Sequence, residues 1–416
     1  MILNCVVQNG GDAAILIAII KQVKEVFGQD VNITACDMHP EAANSNYPDL
    51  ATFIPDPIAI VNDEKNRYLR KLKLWFTPWI FGLRSSKMFR WTNKIFPSKN
   101  PQIEALLNAD LILSTGGTYL VDHYDLRPRF FAFDLVRRTK SPLILYTQSM
   151  GPFAEETLKR KLRKVLGKAT KIYLRDKRSQ KYLQNVLPTQ PPSEVCHDIV
   201  FCLDGPESEI PLGIRPRPRV IVSVREWSKY TNRTPEEGRS IYQTSIAAAV
   251  TLLVEEREAD VLFVSTCQGR DGYRFDDSKE AKEVIALLSP SVREHVSVNS
   301  EANRPSELLD ILKMADFVVA TRMHMAILSL VSKLAVFAVA YEFKTKELFE
   351  GIGHGNCVQD IDTVVPETFA NDVLVAFDNR DSLKQITLSV LPSLKESSEQ
   401  PMKTLRNVKK NLQAKN

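Results

Sequence analysis

The chain has 416 residues, 44% apolar and 25% charged, with a net charge of +5 and an isoelectric point near 8.7. That length exceeds what one hydrophobic core usually supports, so two domains of an ordinary globular protein are expected. The weakly basic balance suits an anionic ligand or membrane surface and gives no support for nucleic acid, and no apolar run approaches the roughly 20 residues of a bilayer span.

The chain opens on MILNCVVQNGGD, which lacks a basic leader and a cleavage site and reads as a first strand. A cytoplasmic protein is the expectation. Short apolar runs then alternate with amphipathic stretches. ILNCVV, VNITACD, ADLILSTGG, PLILYTQSMG and KIYLRD read as strands in the first half, and RVIVSVRE, DVLFVSTC, VSVNS, DFVVATR and LAVFAVAY in the second. Continuous Val/Ile/Leu runs suit strands covered on both faces, and helical patterns such as Glu156–Leu166 and Ser240–Glu258 make repeated βαβ units.

Within the first half, Lys65–Lys99 interrupts this alternation with tryptophans set among lysines and arginines. Such a segment either packs its aromatics on its own domain or lies in a membrane interface, and the sequence leaves both open. The proline-rich stretch Gly205–Arg219 reads as a linker. The expected fold is therefore α/β, two Rossmann-like domains with a cleft between them: 1–207, 208–380 and a helical tail over 381–416, its end from Lys403 basic, polar and frayed. Six scattered cysteines with no CxxC pair are expected to be reduced, buried thiols.

Ligands of open α/β sheets bind beyond the carboxyl ends of strands, so the loops after strands carry the candidates. Gln8-Asn9-Gly10-Gly11-Asp12 precedes a helix whose first amides suit an anion, although Asp12 also fits a simple N-cap. Ser114-Thr115-Gly116-Gly117-Thr118 admits a ligand or merely another backbone, and Tyr119, Asp122 and His123 follow within reach of a sugar hydroxyl. Gln148-Ser149-Met150-Gly151-Pro152 ends a third strand. In the second half Arg225 follows RVIVSV, and Arg322 and His324 follow DFVVAT. Two guanidinium forks beside a histidine make an anion site with a proton donor.

Together these motifs resemble the polysaccharide pyruvyl transferase family from about residue 4 to residue 355. Asn9-Gly10-Gly11-Asp12 matches its N-x-GD loop, and Gly116-Gly117 with Asp122 its glycine turn and acid. Gln148 to Phe153 match Q-x-x-GPF, and Arg175, Asp176 and Ser179 match R-D-x-x-S. Arg322 and His324 match R-x-H, and Tyr341 and Lys344 match Y-x-x-K. Two departures fall in the amino-terminal half: the glycine ahead of N-x-GD is absent, and the third glycine of the turn is replaced.

The resemblance implies a GT-B-like fold and transfer of a pyruvyl group from phosphoenolpyruvate onto two sugar hydroxyls. It implies no metal and no cofactor beyond phosphoenolpyruvate as donor. Arg225, Arg322 and Lys344 would hold the donor, and His324 would be the general acid. Asn9, Asp12, Gly116, Gly117, Asp122 and Gln148 would belong to the acceptor side. The acceptor would be a saccharide of a cell-surface polysaccharide or its lipid-linked precursor. Two other readings remain: a GT-B glycosyltransferase using a nucleotide sugar, and a non-catalytic saccharide-binding protein of the same fold.

Overall fold

The computed structural model describes residues 1–86, 98–122, 124–188, 191–205, 216–269, 273, 275–301 and 304–414. Most of the linker expected at Gly205–Arg219 lies outside them, as does His123. Contacts group the chain into two compact units. The first holds Met1–Gln8, Asp12–Ile199 and Ser397–Asn416; the second holds Asn9–Gly11 and Val200–Glu396.

The first unit is built on β1 (Ile2–Cys5), β2 (Thr34–Asp37), β3 (Thr52–Pro55), β4 (Ile112–Ser114), β5 (Gly117–Leu120), β6 (Leu143–Met150), β7 (Lys171–Leu174) and β8 (Ser193–Val195). They form a parallel sheet in the order β3-β2-β1-β4-β6-β7-β8, with β5 pairing the far end of β6. Every residue of β6 is buried, as expected for a central strand covered on both faces.

The second unit holds β9 (Arg219–Ser223), β10 (Asp260–Phe263), β11 (Val296–Val298), β12 (Phe317–Ala320), β13 (Val336–Ala340) and β14 (Val358–Asp360). Its parallel order is β11-β10-β9-β12-β13-β14, the 3-2-1-4-5-6 order of a Rossmann sheet. The helix Pro235–Arg257 starts at a capping box of Thr234 and Glu237, with proline at its first position, and ends where Glu258 turns left-handed at φ 51°. It packs along the helix Pro366–Asp378. The latter sets Phe377 edge-on against Phe317 of β12 and Phe369 against Phe337 of β13, each at 5.7 Å between ring centres.

The C-terminal stretch is neither one tail nor frayed. Residues 380–396 group with the second unit and the remainder with the first. The helix Pro401–Gln413 buries Met402, Leu405 and Val408, a helical stripe that the abundance of lysine and asparagine conceals in the sequence. Tyr173 meets Thr404 at 2.7 Å, and Lys409 donates to the carbonyl of Val26 at 2.7 Å. All six cysteines are buried.

Candidate active site

In the second unit the strand order reverses between β9 and β12, which run side by side with Ala320 opposite Ser223. Connections leave these two strands toward opposite sides, so a crevice opens past their carboxyl ends. Arg225 lies two residues past β9. Arg322 lies two residues past β12, as the N-cap of the helix Met323–Val331 that carries His324 in its first turn.

A buried polar network ties these ends together. The hydroxyl of Tyr242 accepts from the amide of Arg225 at 3.3 Å and bonds Thr321 at 2.7 Å. Burial pushes that phenol well above its ordinary pKa, so it stays neutral. Arg322 donates through Nε and Nη2 to Asp277 at 2.8 and 2.6 Å, and Ser265 donates to the same carboxylate at 2.6 Å. Asp277 opens the helix Asp277–Ala286, where a negative charge is favoured by the helix dipole. The sequence reading gave the whole fork of Arg322 to a ligand. Asp277 occupies one edge of it, leaving Nη1 without a hydrogen-bond partner among the described residues.

Arg225 is set differently. Its guanidinium lies 4.0 Å from the ring centre of Tyr341 and 5.0 Å from that of Trp227, and the two rings are 4.9 Å apart. Nε reaches the carbonyl of Glu226 at 3.3 Å, while neither terminal amino group has a partner among the described residues. A stacked guanidinium with its amino groups unengaged is held ready for an anion. Lys344 instead pairs with Glu342 at 2.5 Å and is largely buried.

Asn9, Gly10 and Gly11, where the helix Gly10–Phe27 begins, also group with the second unit. Gly10 donates to the carbonyl of Thr266 at 2.7 Å, and the side chain of Asn9 accepts from Gly11 at 2.9 Å. Gly11 presses on His324 so closely that an added Cβ would lie 2.5 Å from Nδ1, which explains a glycine at this position.

Several groups here escaped the sequence reading. Asp277 is 45 positions from its arginine. Trp227 Nε1, Tyr230 OH and Arg233 Nη1 are buried with no hydrogen-bond partner among the described residues. Their one sequence signal is the interleaving of aromatic and basic residues in REWSKYTNR directly after a strand.

In the first unit the order reverses between β1 and β4, and the remaining candidates gather past those strands. Asn4, at φ 64°, donates to Ser114 at 2.7 Å; Thr115 donates to the carbonyl of Asn4 at 2.8 Å. Gly116 lies where a Cβ would fall 2.6 Å from the hydroxyl of Thr147, and Gly117 has φ 123°, so backbone geometry accounts for both glycines. A Cβ on Gly117 would stand 3.8 Å from the carboxylate of Asp12.

Gln148 is fully buried, donates to the carbonyls of Thr115 and Tyr146, and keeps Oε1 without a partner among the described residues. Asp122 is exposed. Arg175 bonds Asp198, Ser149 and Thr118, while Asp176 accepts from Ser149 and Ser179, so the R-D-x-x-S element braces the ends of β6 and β7.

A family model described as polysaccharide pyruvyl transferase matches residues 9–342. The amylovoran biosynthesis protein AmsJ of Erwinia amylovora is 24% identical over 392 residues, covering 91% of each chain. Among solved structures, a putative UDP-N-acetylglucosamine 2-epimerase from Listeria monocytogenes superposes with a TM-score of 0.58 at 12% identity, over 96% of this chain and 93% of that one. A glycosyltransferase from Rickettsia africae gives 0.57 at 11%, over 99% and 96%. Anabaena Alr3699/HepE, solved with UDP-glucose, gives 0.55 at 13%, over 99% and 98%. At these identities the likeness is one of fold, and that fold is the pair of Rossmann-like domains expected from the strand pattern.

Proposed function

The chain belongs to the polysaccharide pyruvyl transferase family, and from that premise we propose that it moves a pyruvyl group from phosphoenolpyruvate to two hydroxyls of a sugar, forming a cyclic ketal. The observation that carries this reading is the placement of Arg225, Arg322 and His324 just past β9 and β12, where the strand order reverses. The donor carries a carboxylate and a phosphate. Arg225 meets one of them with its unengaged amino groups, and Nη1 of Arg322 and the first-turn amides after it meet the other.

His324 then delivers a proton to the methylene carbon of the donor, leaving C2 electron-poor. One sugar hydroxyl adds to C2 and loses its proton, which restores the proton that His324 gave. The C2–O bond to phosphate breaks, the second hydroxyl adds to the same carbon, and its proton leaves with phosphate. Clamping the anion while C2 becomes cationic is orientation and electrostatic work, which these side chains suit. Lys344 sits beside Tyr341 with its charge offset by Glu342, so donor binding falls to the two arginines.

The family description and the Erwinia relative's name, amylovoran biosynthesis protein, support a saccharide acceptor, which we take to be a cell-surface polysaccharide or its lipid-linked precursor. Phosphoenolpyruvate is a cytoplasmic metabolite, so the reaction is placed on the cytoplasmic side. The test is to incubate the purified protein with phosphoenolpyruvate and candidate glycans, following phosphate release and the mass of the product. Phosphate release that depends on acceptor, with a ketal-bearing product, supports the reading. Full turnover in His324→Ala would remove His324 from it. Stabilisation by a nucleoside diphosphate and none by phosphoenolpyruvate would favour a nucleotide-sugar glycosyltransferase.

A further inference from the structure

The helix Arg67–Ser85 presents its apolar side outward. Trp75 is 82% exposed and Trp79 58%, and Tyr68, Leu72, Phe76 and Leu83 are exposed beside them. At about 100° per residue these six side chains share an arc of roughly 100°. The other side of the helix faces the first unit: Pro78 and Phe81 are buried, Ser85 donates to the carbonyl of Arg138 at 2.8 Å, and Gly82 lies against the Arg138 side chain. The anchor is built, so the outward aromatics are not a helix packed the wrong way round.

Charge around the stripe is predominantly positive, and the acids nearest it are paired: Glu64 with Lys73, and Asp134 with Arg137 and Arg138. The helix carries Arg67, Arg70, Lys71, Lys73 and Arg84 and no acidic residue. The grooves along its flank, lined by Trp75, Trp79 and Leu83, are completed by Arg138, Lys164 and Lys168, the two lysines exposed, with Asp134 the one acid among the lining residues. No helix among the described residues is long and apolar enough to cross a membrane.

We propose that this helix docks the protein on an anionic lipid bilayer, lying in the plane of the interface with Trp75 and Trp79 at headgroup depth and the basic rim on lipid phosphates. The charge pattern selects this occupant. In a symmetric pairing of two copies the basic rim would face another basic rim, whereas an anionic bilayer complements both the rim and the apolar stripe. Docking does not depend on the identity of the donor. It places an enzyme of this kind beside acceptors carried on lipid.

The test is flotation of the full-length protein with vesicles of phosphatidylcholine alone and of phosphatidylcholine with phosphatidylglycerol, at low and high salt. Two variants accompany it: Trp75→Ser with Trp79→Ser, and Lys164→Glu with Lys168→Glu. Expected are flotation with the anionic vesicles, weakening at high salt, and at least about a tenfold loss of partition in each variant. Unchanged thermal melting and unchanged turnover of a soluble acceptor keep the comparison on the surface. Absence of flotation with anionic vesicles, or flotation that both variants leave unchanged, overturns the proposal. So does a dimer by light scattering that the tryptophan variant dissociates while no lipid is bound, which gives the face to a second copy.

Discussion

Arg322 grips Asp277 through two parallel hydrogen bonds, 2.8 Å from Nε and 2.6 Å from Nη2, with both side chains buried. The pair fixes the N-cap of the helix that bears His324, and Ser265 locks the same carboxylate from the end of β10. Removing one member of a buried pair leaves the other charge without compensation. Asp277→Ala is therefore expected to lose about 3–5 kcal/mol of stability, read from denaturant midpoints. Asp277→Asn keeps one acceptor and should lose less. Equal, small losses in both would show that solvent relaxes around the guanidinium.

Gly11 bears on His324 through the absence of a side chain. In Gly11→Ala the new methyl would meet Nδ1 at 2.5 Å and Cβ at 2.7 Å, and the latter cannot swing away. The imidazole must move, and a displacement near 1 Å is worth about 100-fold in turnover. Steady-state kinetics should show the fall in kcat, and denaturant midpoints a loss of about 1–3 kcal/mol from the overpacking. A variant of full activity would mean that His324 works from another position.

Arg225 holds its place by stacking on Tyr341 and Trp227. Lysine keeps the charge and loses the planar fork. Arg225→Lys should therefore raise KM for phosphoenolpyruvate by about tenfold, equivalent to about 1.4 kcal/mol, with a smaller change in kcat. An unchanged KM would take Arg225 out of donor binding.

His354 offers a test of pH dependence away from the site. It is buried with Nε2 3.1 Å from the hydroxyl of Thr387, and burial lowers its pKa below the ordinary histidine value. As pH falls through about 6.5, the unfolded chain takes up a proton there before the folded chain does. The stability this residue contributes is complete above about pH 6.5 and is lost as pH drops through the lower folded value. Denaturant midpoints at about pH 7.5 and about pH 5.5 should fall more for the wild type than for His354→Asn. Parallel falls would assign the acid sensitivity to other groups.

Much of the second unit's site could be read from short stretches. A residue just past a buried strand must stand at the sheet edge, so Arg225, Arg322 and His324 are placed by local pattern alone. Asp277 could not be found that way, because nothing in residues 276–278 announces a partner 45 positions on. The glycines Gly116 and Gly117 show the converse. They were prominent in the sequence as a possible ligand loop, and a close approach to Thr147 and a positive φ suffice to require them.

Hydrophobic periodicity, a property of neighbours along the chain, determined the strands, the alternation with helices and the two Rossmann-like domains. What periodicity carries is which positions are apolar, not what covers them. Only the tertiary structure decided that the apolar side of Arg67–Ser85 faces outward while the stripe of Pro401–Gln413 is buried. Only it decided that one edge of Arg322 is committed to a carboxylate. Those outcomes are set by pairings between distant segments, whose strength depends on burial and geometry that no local window contains.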